Sequence, residues 1–115
     1  MIKIESMEKA IKAKNTKDLN ATLVRAYWTS QEAENDRLDF SDVIWESDIK
    51  ECTEFMRENG VKEFTISSQF SSLIETLEGF EEAGCHMTGL TKVNARYADF
   101  ITGKHEIIPA ILIKL

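Results

Sequence analysis

The chain is poor in the residues that would mark it as a disulfide scaffold, a metal protein or a membrane protein. Its 115 residues include two cysteines, one proline and five glycines. Cys52 and Cys85 are too few for a disulfide framework and lack the C-x-x-C spacing of zinc and redox sites, so we expect two buried thiols in a reducing compartment. There is no window of the roughly eighteen apolar residues that span a bilayer, and no apolar signal segment at the N-terminus. These absences predict a cytoplasmic protein without membrane contact.

Catalytic motifs are absent as well. The sequence has no G-x-S-x-G elbow, no H-E-x-x-H pair and no dinucleotide fingerprint. The string Thr102-Gly103-Lys104 resembles the end of a P-loop, but Ala98 and His105 stand where that loop needs Gly and Ser or Thr, so a hairpin turn is favoured. His86 follows Cys85 directly on a predicted strand, which points the two side chains to opposite faces, a buried thiol and a surface imidazole. We therefore expect no enzyme site, no metal and no cofactor.

The residues that are present describe one globular domain. The chain is 43% hydrophobic and 30% charged, and its length is that of a single α/β domain spanning residues 1–115. The net charge of −6 disfavours direct nucleic-acid binding, which depends on neutralising phosphates with Lys and Arg. The charge is segregated: residues 30–58 carry ten acids against three bases, whereas residues 1–17 and 85–115 are net positive.

The first half of the chain predicts helices. Ser6 can cap a short helix that runs to Lys14, and Thr16 begins a longer helix that ends near Asn35. Leu38 and Phe40 lie in an acidic connector, and a third helix begins at Ser41 or Asp42 and ends at Asn59-Gly60. The side chains expected to face inward are Leu19, Leu23, Ala26, Tyr27 and Ser30 on the second helix, and Trp45, Ile49, Cys52, Phe55 and Met56 on the third.

The second half predicts a strand, a helix and a hairpin. Alternation over 61–67 favours a half-buried strand, and Ser72 with Glu75 has the spacing of a capping box at the start of a helix that closes at Ala83-Gly84. A long strand from Cys85 to about Tyr97, bulged at Gly89, then turns near Thr102-Gly103 into a strand over 105–114. The apolar face of the helix is expected to comprise Leu73, Ile74, Leu77 and Phe80.

Together these elements predict an α+β fold. The N-terminal helices pack on a small three-stranded mixed sheet, built from a β-α-β unit with parallel strands and a C-terminal β-hairpin. The place of the last strand stays open: its apolar run favours burial on both faces, but Pro109 cannot donate to a ladder.

The serine-rich loop over 67–72 is one candidate binding site. It joins a strand to a helix N-terminus, where free backbone N–H groups and the helix dipole favour an anion. Ser67, Ser68 and Ser72 would line this small-molecule or phosphate site, with Arg96 nearby. Serines are also what capping and turn chemistry require at such a place, and the glycines that let a phosphate approach closely are missing.

The acidic middle of the chain is the other candidate. A solvated helix face is the default interpretation of such carboxylates, but a concentrated negative field also attracts and selects a basic partner. We expect a non-enzymatic protein that binds a protein partner through Glu46, Glu51 and Glu54, with Trp28 as the apolar anchor. The hairpin, with Arg96, Tyr97 and Lys104, is the alternative contact surface.

Three stretches of the second half carry a resemblance. Residues 62–77, residues 89–103 with the string Ala-Arg-Tyr-x-Asp-x-x-Thr-Gly at 95–103, and Ile108-Pro-Ala-Ile111 resemble a group of small uncharacterised proteins. That group is carried by Firmicutes, often on plasmids, phages and conjugative elements. The resemblance implies an accessory protein of mobile DNA, a context in which small acidic proteins can interfere with nucleic-acid-handling host enzymes. It assigns no activity and no functional residue.

Overall fold

A computed structural model of the chain describes residues 21–41, 44, 46–68 and 71–115, except for the side chains of Glu46 and Arg96. Three helices and four strands follow one another in these residues. Their order is α1 (Ala21–Glu32), β1 (Asp39–Phe40), α2 (Glu46–Glu58), β2 (Glu63–Ile66), α3 (Leu73–Glu82), β3 (His86–Ala98) and β4 (His105–Lys114). The fold is α+β, as the sequence predicts, with helices first and the long strands at the C-terminus. The expected helix over 6–14 lies outside the described residues.

The four strands form one mixed sheet in the order β1-β2-β4-β3. β1 runs parallel to β2, and β4 is antiparallel to both β2 and β3. β2 and β3 therefore point in the same direction, as expected of the β-α-β unit, but β4 lies between them. This answers the question that Pro109 raised. The segment of β4 flanked on both sides is Ile111–Lys114, and Pro109 precedes it, where β2 no longer extends.

The short strand β1 corrects the prediction that Leu38 and Phe40 lie in a connector. Phe40 pairs with Ile66 of β2, and the amide of Thr65 donates to the carbonyl of Leu38 over 2.9 Å. A strand of two residues is too short to produce an alternating pattern, so the sequence predicts three strands where the structure has four.

Helix α1 protects the outer edge of β1. The hydroxyl of Ser30 accepts a hydrogen bond from the amide of Asp39 over 2.8 Å and donates to the carbonyl of the same residue over 3.2 Å. These are the two backbone groups that an edge strand leaves without a partner. The predicted inward stripe of α1 is confirmed at its described positions, since Leu23, Ala26, Tyr27 and Ser30 are all buried.

Helices α2 and α3 cover one face of the sheet, which we call the α3 face. Phe40, Phe64 and Phe80 pack there with ring centroids 5.0–6.2 Å apart. The predicted inward residues of α2 are buried at Ile49, Cys52 and Met56 and half-buried at Phe55. Two predictions for α3 are wrong: Ile74 is exposed, and the Ser72 side chain makes no capping hydrogen bond.

Candidate protein-binding surface

The exposed large apolar side chains of the described residues are unevenly distributed. Six of the eight lie on the β3–β4 hairpin, a seventh is Ile74 on the neighbouring side of α3, and the last is Trp28 on α1. The seven on the hairpin and α3 are Ile74, Met87, Leu90, Tyr97, Phe100, Ile101 and Ile107. We call these seven the apolar hairpin surface.

A β-bulge aligns part of this surface. Met87 pairs with Ile113 and Leu90 pairs with Ile111, although two residues lie between the β3 positions and only one lies between those on β4. The extra residue beside Gly89, whose φ of +149° suits glycine, lets Met87 and Leu90 share one face. Since Ile111 and Ile113 pair with Ile66 and Phe64 of β2, this is the α3 face. The bulge that the sequence predicts at Gly89 is thus confirmed.

A groove separates α3 from β3 on this face. It has a volume of about 380 Å³, and Phe80, Cys85 and Ile113 are its buried residues. The exposed side chains of Ile74 and Met87 stand at its two walls, and the α3 wall also carries the carboxylates of Glu78 and Glu81. Farther along β4, Pro109 and Ile107 lie on the same face, and both are exposed. The apolar face of the hairpin therefore extends beyond the cover that α3 provides.

The tip of the hairpin presents Phe100 and Ile101 on an ordered turn. These side chains are 99% and 86% exposed. The Asp99 carboxylate accepts hydrogen bonds from the amides of Ile101 over 2.8 Å and Thr102 over 3.0 Å, and these bonds lower its pKa. The Gly103 amide donates to the Asp99 carbonyl over 2.8 Å, with Gly103 at φ +71°. The Asp and Thr-Gly of the string at 95–103 therefore shape a turn that holds two apolar side chains in water.

The acidic candidate residues belong to α2, whereas Trp28 belongs to α1. Glu51 and Glu54 are exposed on α2, and Trp28 is 48% exposed and packs edge-on against Tyr27. The hydroxyl of Thr22 donates to the Asp48 carboxylate over 3.1 Å, which marks the side of α1 that faces α2. Trp28 is six residues from Thr22, about 120° around the helix at 3.6 residues per turn. Trp28 therefore lies off the side of α1 that faces α2, the helix that carries the carboxylates. The side chain of Glu46 is not among the described ones.

The first two serines of the serine loop lie in the interior. Ser67 and Ser68 are buried, and the Ser67 hydroxyl donates to the Asp39 carboxylate over 2.6 Å. Thr65 donates to the other oxygen of that carboxylate, also over 2.6 Å. A buried carboxylate beside these hydroxyls disfavours an anion there. Ser72 is exposed at the start of α3, and the side chain of Arg96 lies outside the described residues.

The two thiols are buried and form no disulfide, as the sequence predicts, and His86 is exposed. Burial raises the pKa of Cys52 to about 12, with further contributions from the Asp48 and Glu51 carboxylates, and burial also raises the pKa of Cys85. Neither group is an activated thiolate at neutral pH. In the part of the chain that the structure describes, no three His, Cys, Asp or Glu side chains are grouped to hold a metal ion, and no helix could span a membrane.

The comparison with known families matches a domain of unknown function, DUF7698, over residues 22–115. The chain belongs to the DUF7698 family. This match covers all the described elements except the first residue of α1, so the groove and the hairpin are parts of the DUF7698 domain. No curated protein and no solved structure matches the chain.

Sequence reasoning named Tyr97 of the hairpin as an alternative contact, but it missed the other members of the apolar hairpin surface because it assigned apolar residues to the interior. Phe100 and Ile101 are next to the turn residues Thr102 and Gly103, where no covering element was predicted. Their position beside a predicted turn could have indicated that they are exposed. Ile74 was grouped with Leu77 and Phe80 by helical spacing, although spacing alone does not show where the cover of a short helix ends.

Proposed function

We propose that this domain acts by binding another protein, and that the apolar hairpin surface makes the contact. The observation that supports this proposal is that seven of the eight exposed large apolar side chains of the described residues lie on the hairpin and α3. Single exposed apolar side chains are normal on any protein, whereas a cluster of them marks an interaction surface. The backbone of the hairpin tip is already held by the hydrogen bonds of the turn, so binding there costs little backbone conformational entropy, which favours Phe100 as an anchor.

The carboxylates of α2 have a supporting part in this proposal. Glu51 and Glu54 are exposed and belong to the stretch of net charge −7, so they attract a basic protein over about one Debye length, roughly 8 Å at physiological salt. Exposed ion pairs add little net affinity, and their main effect is on the rate of association. The resemblance to proteins of mobile DNA suggests that the basic partner is a nucleic-acid-handling enzyme of a host cell.

Affinity capture from the native host separates the two surfaces. We expect the variant Phe100→Ser/Ile101→Ser to lose captured protein by about tenfold or more, because two exposed anchors are removed while the core is untouched. The matched variant Glu51→Gln/Glu54→Gln keeps the apolar surface, and we expect it to capture less protein at low salt but the same amount at high salt.

The opposite pattern would reject the hairpin as the contact. If capture survives the loss of Phe100 and Ile101 and disappears with Glu51 and Glu54, the acidic helical surface is the binding site. Far-UV circular dichroism and the melting temperature of each variant serve as controls for folding.

An anion-binding module is the second candidate, and the geometry favours it less. It would have to use Ser72 at the N-terminus of α3, because the Ser67 hydroxyl is bonded to Asp39. Protection of Ser72 by inorganic phosphate, measured by NMR titration at physiological salt, would be needed to revive it.

A further inference from the structure

Among the described residues, no strand covers the outer edge of β3 beside the groove. β3 is the last strand in the order β1-β2-β4-β3, so one of its sides has no neighbouring strand in the described sheet. The opposite outer strand, β1, is covered by Ser30 of α1. One edge of the sheet is thus covered by a side chain of α1, whereas the other has no neighbouring strand in the described sheet.

Hydrogen bonds at two positions, Leu115 and Asn94, identify which backbone groups of β3 point outward. The Leu115 amide donates to the carbonyl of Lys62, so Leu115, Ile113 and Ile111 direct their backbone groups toward β2 rather than β3. Their partners on β3, Met87 and Leu90, therefore direct theirs away from β4. The hydrogen bonds at Asn94 indicate the same outward direction farther along β3.

The Asn35 side chain marks the end of the open edge. Its carboxamide donates to the carbonyl of Asn94 over 3.0 Å and accepts from the amide of Asn94 over 2.8 Å, which is what a neighbouring strand would do. Since alternate residues of a strand point the same way, Lys92 and Leu90 also direct their amides and carbonyls outward. No described residue forms a hydrogen bond with the outward amide or carbonyl of Lys92 or of Leu90. The alternation also explains Pro109, which faces Lys92 and whose missing N–H would not have pointed toward β3.

We propose that an extended segment of a partner protein adds as a strand to β3 at Leu90–Lys92 and places alternate side chains in the groove against α3. Strand addition beside a helix supplies affinity through main-chain hydrogen bonds and specificity through pockets for alternate side chains. This inference rests on the proposed function and names the class of partner for the same surface.

The chemistry of the groove defines the segment. Ile74, Leu77 and Met87 require apolar side chains at alternate positions, and the exposed carboxylates of Glu78 and Glu81 on the α3 wall require a Lys or Arg beside them. A second copy of this chain fits less well. Pairing β3 with itself over the short open edge would bring the two Lys92 ammonium groups onto one face, within diagonal contact distance.

The test uses the full chain and a displayed library of random heptapeptides. Selected peptides are expected to carry Val, Ile or Leu at alternate positions and one basic residue, and to bind in fluorescence polarisation. Lys92→Pro removes an outward amide while leaving the bonds to β4, so we expect it to weaken binding by about tenfold or more. Lys92→Ala keeps the amide and is the matched control, with an expected change below about threefold. Hydrogen exchange should show the amides of Leu90 and Lys92 unprotected in the free protein and protected with peptide.

Several results would overturn the proposal. They are the absence of selected peptides, equal binding by Lys92→Pro and Lys92→Ala in folded protein, protection of both amides in the free chain, or a dimer that Lys92→Pro dissociates. If a captured protein depends on Phe100 and Ile101 but ignores Lys92→Pro, the proposed function stands and strand addition falls.

Discussion

Asp39 shows at the scale of one residue how an acidic chain makes a core. Its carboxylate is buried, and it is held by the hydroxyls of Thr65 and Ser67. Burial raises the pKa of Asp39, and the hydrogen bonds from Ser67 and Thr65 partly oppose that rise. One member of the acidic stretch therefore binds the strands β1 and β2 together instead of facing a partner.

Substitution of Asp39 should separate the effect of its charge from that of its hydrogen bonds. Asp39→Ala leaves two buried hydroxyls without an acceptor, and we expect the free energy of unfolding to fall by about 1–3 kcal/mol. Asp39→Asn keeps an acceptor, so its loss should be smaller at neutral pH. Urea unfolding of both variants and the wild type at several pH values provides the measurement.

The pH dependence of Asp39 has a definite sign. Because its pKa in the folded protein lies above the ordinary value of 3.8, folding is favoured more when the carboxyl is protonated. The contribution of the Asp39 carboxyl to the stability of the folded protein is full below about pH 3.8. It is lost as the pH rises through the pKa that Asp39 has in the folded protein. The stability of the wild type relative to Asp39→Asn should therefore decrease over that rise. A difference that increases with pH would contradict the account.

At the scale of elements, the crossing of α2 and α3 depends on a glycine. A Cβ atom at Gly79 would lie 2.5 Å from Cδ1 of Ile49, which is buried. Gly79→Ala should therefore destabilise the protein by about 1–3 kcal/mol through overpacking, although alanine is the better helix former.

A double-mutant cycle tests this contact. Ile49→Val removes the Cδ1 atom, and in that background we expect Gly79→Ala to be neutral or to stabilise by up to about 1 kcal/mol. Additive effects of the two substitutions in thermal unfolding would show that the helices do not approach each other at this point. Glu78→Ala, an exposed neighbour on α3, is the control for helix propensity.

The same scale shows what the sequence could and could not predict. Helical spacing identified the buried residues of α1 and α2, and alternation with the turn residues near Gly103 identified the hairpin. Those signals are local. The strand Asp39–Phe40, the central place of β4 and the exposure of Ile74 depend on which distant elements meet, and a single sequence carries no periodic signal for that.

The same distinction between local signals and distant contacts applies to the candidate site. Trp28, the expected apolar anchor, is exposed, and its part in binding a partner stays a prediction. The bond between Ser67 and Asp39 joins residues 28 positions apart, so capping logic assigned the Ser67 hydroxyl to a loop when it belongs to the sheet.

For the whole molecule, the most acidic stretch and most of the exposed apolar side chains belong to different segments of the chain. Residues 30–58 carry a net charge of −7, and six of the seven residues of the apolar hairpin surface belong to residues 85–115, which are net positive. A partner attracted by the first part must still be held by the second, since apolar burial supplies most of the affinity in protein interfaces. The central proposal is accordingly that the hairpin holds the partner.

Photo-crosslinking tests that claim most directly. Benzoylphenylalanine replaces Phe100 in one variant and Glu51 in the other, and each is irradiated with the partner recovered by affinity capture. We expect a covalent adduct from position 100 and little from position 51, because the hairpin tip is buried in the complex while α2 stays in solvent. An adduct from position 51 with none from position 100 would show that the partner binds the acidic helices and would contradict the account.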